Sequence, residues 1–245
     1  MLKIKNLKKN FGGVKAVDGC SFEIKPNTIN ALIGPNGSGK TTVFNLIAGI
    51  LKEKSGKIIF SKTDITSLSP EEISRIGISR VFQKTRLFNN LTIKDNLILA
   101  IDEEDTLFWK CLLAKNKTSQ KKLDKIKRVL ELVNMENFEN KPCRNLSYGQ
   151  RKLIELARAI INPHQLLMLD EPVAGVNPRL RNKIAKLLQN LKKQSETVLF
   201  IEHDMNFALG IADNVIVMDE GKVIASGTPQ KIRKNPAVLD AYLGD

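Results

Sequence analysis

Three features of the sequence predict an α/β fold. Short apolar runs separated by turn residues fill residues 1–60. Strand-like and helix-like segments alternate again from about residue 165. Between about 89 and 161 lies a stretch with helical periodicity.

"LKIKNL", "CSFEI", "TINALIG" and "GKIIF" are strand candidates punctuated by Gly, Pro and Asn. A helix is expected after the glycine-rich loop at 34–39, with Val43, Phe44, Ile47 and Ile50 on its apolar side. "SQKKLDKIKRVLELV" predicts a helix capped by Ser119, with Leu123, Ile126, Leu130 and Val133 on one stripe. From Lys152, "KLIELARAII" predicts another, with Leu153, Ile154, Ala157, Ile160 and Ile161 apolar and Arg151, Glu155 and Arg158 between them. "QLLMLD" (165–170) and "TVLFIEH" (197–203) read as buried parallel strands flanking the helix "PRLRNKIAKLLQNLKKQ". "NVIVMDEGKVIASG" reads as a hairpin turning at Glu220–Gly221. The segment "IDEEDTLFWKCLLAKNKTSQKK" swings from acidic to basic and is expected to be exposed.

Lys and Arg number 39 against 26 Asp and Glu, a formal net charge of +13. That excess suits an acidic partner, either nucleic acid or an anionic membrane face, unless it is simply a solvated lysine-rich surface. Aromatic residues make up 5% of the chain, which argues against a base-stacking platform. No apolar run reaches the length of a membrane span, and no signal peptide is expected at the N-terminus. Cys20, Cys111 and Cys143 are scattered and odd in number, which speaks against a disulfide framework and for a reducing compartment.

The chemistry centres on "GPNGSGKTT" (Gly34, Pro35, Asn36, Gly37, Ser38, Gly39, Lys40, Thr41, Thr42), which fits G-x-x-x-x-G-K-[ST] between a strand and a helix. Glycines there let successive backbone N–H groups face a phosphate, Lys40 reaches the outer phosphates, and the Thr41 hydroxyl is a Mg²⁺ ligand. Asp170, at the end of a buried strand, can help to hold the metal shell, and Glu171 can polarise an attacking water. His203 ends the next predicted strand, where an imidazole can hydrogen-bond a γ-phosphate. Gln83 in "RVFQK" supplies a strand-end amide that can reach Mg²⁺ or the water. His164 lies in a loop and carries no assignment. Ser147, Gly149 and Gln150 open a helix with a hydroxyl, a bare backbone and an amide, which is equipment for holding an anion. The phosphate loop that would match it lies a hundred residues upstream.

Together, and in this order, these residues resemble the nucleotide-binding subunits of ATP-binding cassette (ABC) transporters over essentially the whole chain. The resemblance implies one ABC domain over 1–245: a P-loop NTPase core, an antiparallel β subdomain, a helical subdomain inserted at about 89–161, and a tail at about 228–245. It implies ATP and Mg²⁺ as cofactors, with Phe11 stacking on adenine where the residue alone would read as a half-buried strand position. It implies a head-to-tail dimer in which Ser147, Gly149 and Gln150 of one subunit meet the nucleotide held by the partner's phosphate loop. The segment "AGVNP" (174–178) matches the family's D-loop.

Two departures narrow the resemblance. Tyr148 replaces the usual signature glycine, and Asn177 stands where many members have Asp. Both, with the closing "AYLG" and the "LFWKCLLAK" insertion, resemble the ATPase subunits of branched-chain amino acid importers and their amide and urea relatives. Membrane permeases, a second ATPase subunit (identical or a sister chain) and, indirectly, a solute-binding protein are the implied partners at the cytoplasmic face of the membrane; nucleic acid is not. Phe88 and Leu87 are candidates for the permease-facing groove, or for plain core packing. The competing readings are a lipopolysaccharide-export ATPase, against which Tyr148 speaks, and a soluble ABC ATPase of nucleic-acid or iron–sulfur handling.

Overall fold

The computed structural model of the chain describes residues 1–81, 87–101 and 120–243. Gln83, Cys111, Ser119 and most of the "IDEEDTLFWKCLLAKNKTSQKK" stretch lie outside these residues.

Two sheets organise the described residues. The first is antiparallel, in the order β2-β1-β4-β5, from β1 (Leu2–Phe11), β2 (Val14–Ile24), β4 (Ser55–Phe60) and β5 (Thr63–Asp64). The second has the order β10-β9-β3-β8-β7-β6: β10 (Lys222–Gly227), β9 (Asn214–Asp219), β3 (Ile29–Ile33), β8 (Thr197–Ile201), β7 (Leu166–Asp170) and β6 (Ile78–Val81). Its strands are parallel except for the β9–β10 hairpin, which turns at Glu220 (φ 43°) and Gly221 (φ 77°). Every residue of β3, β7 and β8 is buried, as expected for strands covered on both faces. The period of two divides them between two cores. Ala31, Leu167, Phe200 and Val217 face one cluster; Leu32, Met168, Leu199 and Ile216 face the other, shared with the antiparallel sheet and helix α1.

Helix α1 (Lys40–Ile47) follows the glycine loop. It ends sooner than its apolar spacing predicts. At Gly49 the backbone turns to φ 69°, and a Cβ there would stand 2.7 Å from Leu68 O. Ile50 therefore leaves the helical stripe and is exposed. After α2 (Pro70–Arg75), residues 93–160 carry α3 (Ile93–Ile101), α4 (Gln120–Leu132) and α5 (Tyr148–Ile160). Ile126 and Leu130 of α4 are buried, as is Val133 just past its end. Leu87 belongs to the core whereas Phe88 is 49% exposed, so the pair of groove candidates splits. In α5 the stripe is broader than its spacing predicts, because Lys152 and Glu155 are buried with Leu153, Ile154, Leu156 and Ala157. Helix α6 (Pro178–Lys193) covers the sheet from an Asn177 cap that accepts from Leu180 N–H, with Pro178 at its first position. Helices α7 (Met205–Ile211), α8 (Pro229–Arg233) and α9 (Pro236–Leu243) complete the fold. No described helix is long and apolar enough to cross a membrane.

The strand order positions the site. β8 lies between β3 and β7, so the segments leaving the carboxyl ends of β3, β8 and β7 emerge side by side, where open parallel sheets bind ligands.

Candidate nucleotide site

The segment leaving β3 is the phosphate loop, and its glycines are required by close backbone approach. Gly34 has φ 149°, and a Cβ there would lie 2.0 Å from Met218 O; at Gly39 (φ 96°) it would lie 2.3 Å from Ala16 O. Gly221 N–H donates to Ser38 O at 3.1 Å, so the β9–β10 turn also braces the loop. Lys40, 5% exposed, points back into the loop. Its ammonium donates to Gly34 O and Pro35 O at 2.7 Å each and to Ser38 Oγ at 3.2 Å. Burial pulls its pKa down, opposed by the charges of Glu171 and Asp170. Thr41, the next residue, is exposed.

The segment leaving β7 supplies two carboxylates. Asp170 is 4% exposed. Burial pushes its pKa up against the pull of Arg80, whose Nη2 lies 3.4 Å from Asp170 Oδ2. Arg80, on β6, also donates to Asn45 Oδ1 at 2.8 Å and lies over the Phe44 ring. Glu171 has φ 50°, an uncommon left-handed conformation for a residue with a long side chain. His203, beyond β8, meets it: His203 Nε2 lies 2.6 Å from Glu171 Oε1. Lys40, Asp170, Glu171 and His203 thus come together at three adjacent strand ends.

The signature residues sit elsewhere, at the start of α5. Ser147 is the N-cap, and its hydroxyl accepts from Gln150 N–H at 3.3 Å. The Gln150 side chain accepts from Ser147 N–H at 3.0 Å, closing a capping box. A Cβ at Gly149 would come within 2.6 Å of Leu180 Cδ2, so the bare backbone lets α5 approach α6. Tyr148 turns toward the segment after β7. Its hydroxyl donates to Ala174 O at 3.2 Å, and its ring lies against Gly175 in the segment linking β7 to α6. Phe11 ends β1 at 48% exposure, with Lys9 Nζ 5.3 Å from the ring centroid. Gln83 lies outside the described residues.

Three side chains near the site were not singled out from sequence. Arg80 is a cation in the strand that feeds the Gln83 segment. Glu202, beside His203, is 3% exposed and directly follows the buried apolar run of β8, which is the available signal. Tyr242, in "AYLG", has a buried hydroxyl without a formed hydrogen bond. Burial pushes its pKa to about 12, against the pull of the Gly34 backbone. His164 is also less idle than its loop position implied, with Nε2 2.6 Å from Glu196 Oε2.

A glycine loop ahead of a helix, with a buried aspartate at the end of the next strand but one of the parallel sheet, defines a P-loop nucleotide-binding protein. Comparison with known proteins narrows that class. A family model described as ABC transporter matches residues 17–174, and one described as branched-chain amino acid ATP-binding cassette transporter matches 222–245. The high-affinity branched-chain amino acid transport ATP-binding protein LivG of Salmonella typhimurium is 38% identical over 250 residues, spanning 100% of this chain and 98% of that protein. An ATP-binding cassette of an ABC transporter, solved in its ADP conformation, superposes with a TM-score of 0.88 at 33% identity, covering 100% of this chain and 99% of that one. A dimeric bacterial ABC transporter cassette gives a TM-score of 0.81 at 25% identity, over 94% and 99% of the two chains. The chain belongs to the ABC transporter family, as an ATP-binding subunit.

Proposed function

We propose that this chain is the ATP-hydrolysing subunit of a membrane importer for branched-chain or related amino acids, acting as a head-to-tail pair with ATP between the subunits. The observation that carries the hydrolytic part is the Glu171–His203 contact of 2.6 Å beside the phosphate loop. A carboxylate and an imidazole in contact next to a phosphate cradle are placed to take a proton from water and to hold the departing γ-phosphate. In that reaction the water oxygen bonds to the γ-phosphorus, the bond to ADP breaks, and Glu171 takes the proton.

The residues fit a nucleoside triphosphate. The Lys40 ammonium is satisfied by three loop oxygens, contacts that phosphate oxygens can replace. They also fit Mg²⁺ brought in with the phosphates. Among the described residues no group of three or more His, Cys, Asp or Glu could hold a metal alone, and Mg²⁺ characteristically combines one or two protein ligands with phosphates and water. Thr41 and Gln83 would hold it directly and Asp170 through water, and it would supply neutralisation of phosphate charge.

The substrate class rests on the relatives' names and on the tail. The partners follow from the same likeness: two permeases, a second ATPase subunit, and a solute-binding protein reached only through the permeases. The basic surface would then lie against anionic headgroups at the cytoplasmic face. Two experiments test this. Glu171→Gln should trap an ATP-bound dimer on sizing chromatography, and monomer alone in ATP would defeat the composite-site reading. Mild-detergent purification from native membranes should bring down a permease pair and a second ATPase. Recovery with soluble partners or nucleic acid would overturn the transport reading while leaving the ATPase chemistry.

A further inference from the structure

We propose that Glu202 is a positioning residue for the hydrolytic pair: its buried carboxylate ties the 171–173 turn to the end of β8 and so holds Glu171 against His203. This rests on the hydrolytic reading of the site given above.

The sequence places Glu202 where a charge is least expected. It continues "TVLFI", whose five residues are all buried, and it is itself 3% exposed. Carboxylates are rarely buried so fully unless something holds them, because loss of water disfavours the charged form. What holds this one is backbone from the end of the neighbouring strand. Glu202 Oε1 accepts from Val173 N–H at 2.9 Å in a buried setting. Burial raises the pKa of Glu202, the backbone at Val173 and His203 lowers it, and the charge of Glu171 raises it again.

The turn it grips needs gripping. Glu171 stands at φ 50°, a conformation that a residue with a side chain adopts only when its surroundings impose it. Three links join the ends of β7 and β8. Glu171 N–H donates to Ile201 O at 3.1 Å, Val173 N–H donates to Glu202, and Glu171 Oε1 meets His203 Nε2. The first anchors the backbone at Glu171 and the last is the reactive pair itself. Glu202 closes the loop between them, two residues past Glu171 on one strand end and one residue before His203 on the other. Val173 is 1% exposed, so without Glu202 its N–H has no water to turn to and the turn must re-form to satisfy it. Glu202 touches no reacting atom; it acts through the two residues that do.

The test begins with a readout that needs no turnover. The chain has two histidines, so ¹⁵N imidazole spectra of the full chain without nucleotide are assigned by one His203→Ala control. Wild type and Glu202→Gln, which keeps an oxygen acceptor for Val173, should show a hydrogen-bonded His203 Nε2. Glu202→Ala should shift that resonance towards the free-imidazole value while His164, paired with Glu196, stays in place. If Glu202→Ala fails to fold, Glu202→Asp, which withdraws the acceptor by one methylene, should give the same shift. An unmoved His203 resonance in the folded Ala or Asp variant overturns the proposal.

Kinetics supply the second arm. Glu202→Ala should lower kcat roughly 10- to 100-fold with KM for ATP changed less than about 2-fold, and Gln should restore most of the rate. In a His203→Ala background the further loss should shrink to under about 3-fold, since residues acting as one unit are not additive. Equal losses in both backgrounds would make Glu202 merely structural and overturn the proposal. A wild-type chain that turns over no ATP would instead defeat the hydrolytic reading, and the spectra would still decide whether Glu202 sets the His203 contact.

Discussion

The phosphate loop and the start of α5 are two anion-ready places built in opposite ways. The loop is gripped from several sides, by Met218 O behind Gly34, Ala16 O behind Gly39 and Gly221 N–H on Ser38 O, with Lys40 nearly buried inside it. The start of α5 stands in the open: Ser147 is exposed and Tyr148 is 55% exposed. Each place satisfies its own polar groups. Lys40 is held by three oxygens of its own loop, and Ser147 and Gln150 close on each other in a capping box. The difference is what each would give up for a ligand. The loop is a preorganised cradle that a phosphate enters by replacing lysine contacts. The signature is a helix end that must be brought to its anion from outside, which is what a head-to-tail partner would do.

The contrast breaks most severely at Lys40. Lys40→Ala should weaken ATP binding by the isolated chain by about 100-fold or more, the scale for losing a preorganised charged donor to a phosphate oxygen. Titration calorimetry checks it. Undiminished affinity would move the phosphate away from the loop and erase the difference between the two places.

Much of this was legible in the sequence, and what was not has a common cause. Strands β3, β7 and β8 announce themselves as continuous apolar runs because both their faces are covered. The phosphate loop, Asp170, Glu171 and His203 are legible because each sits at the end of such a run. Ile50 misled because the spacing of apolar residues does not register a glycine driven to φ 69° against Leu68 O. Arg80 and Glu202 escaped because their meaning lies across strands. An arginine in β6 matters through Asp170 in β7, and a glutamate after β8 matters through Val173 after β7. Tyr242 escaped for the same reason, since nothing near it in the chain points to Gly34. Local pattern gives elements and the motifs at their ends. It does not give partners supplied by a neighbouring strand.

A milder break separates the two places cleanly. Ser147→Ala removes the cap and the exposed hydroxyl together. Loss of an N-cap costs about 1 kcal/mol, so the melting temperature should fall by a few degrees. ATP binding by the monomer should stay within about 2-fold, while hydrolysis should drop roughly 10-fold, as for a hydroxyl that acts only once the transition state is assembled. If binding by the monomer and hydrolysis fall together, the signature serves its own chain and the head-to-tail account is wrong. Ser147→Asn, which keeps a capping side chain, tells the two losses apart: it should recover the melting temperature without recovering the rate.

Tyr148 gives the smallest effect and the finest distinction. It belongs to the exposed place, yet it reaches back toward the segment after β7, through its hydroxyl on Ala174 O and its ring on Gly175. Gly175 has φ 68°, and the ring covers it where a signature glycine would leave it bare. A hydrogen bond of this kind is worth about 0.5–1.5 kcal/mol, and the bond is exposed, so Tyr148→Phe should lie at the low end. Hydrolysis should then change by less than about 3-fold, because the ring still packs on Gly175. Tyr148→Gly removes the ring too and frees both the 174–176 turn and the start of α5. Its ATP-dependent dimerisation should weaken measurably more than that of Tyr148→Phe, which sedimentation of the Glu171→Gln background in ATP would record. If Phe and Gly behave alike, the ring contributes nothing and the hydroxyl alone joins the two segments. If neither changes dimerisation, the start of α5 and the β7–α6 turn are independent, and the exposed place is held by its capping box alone.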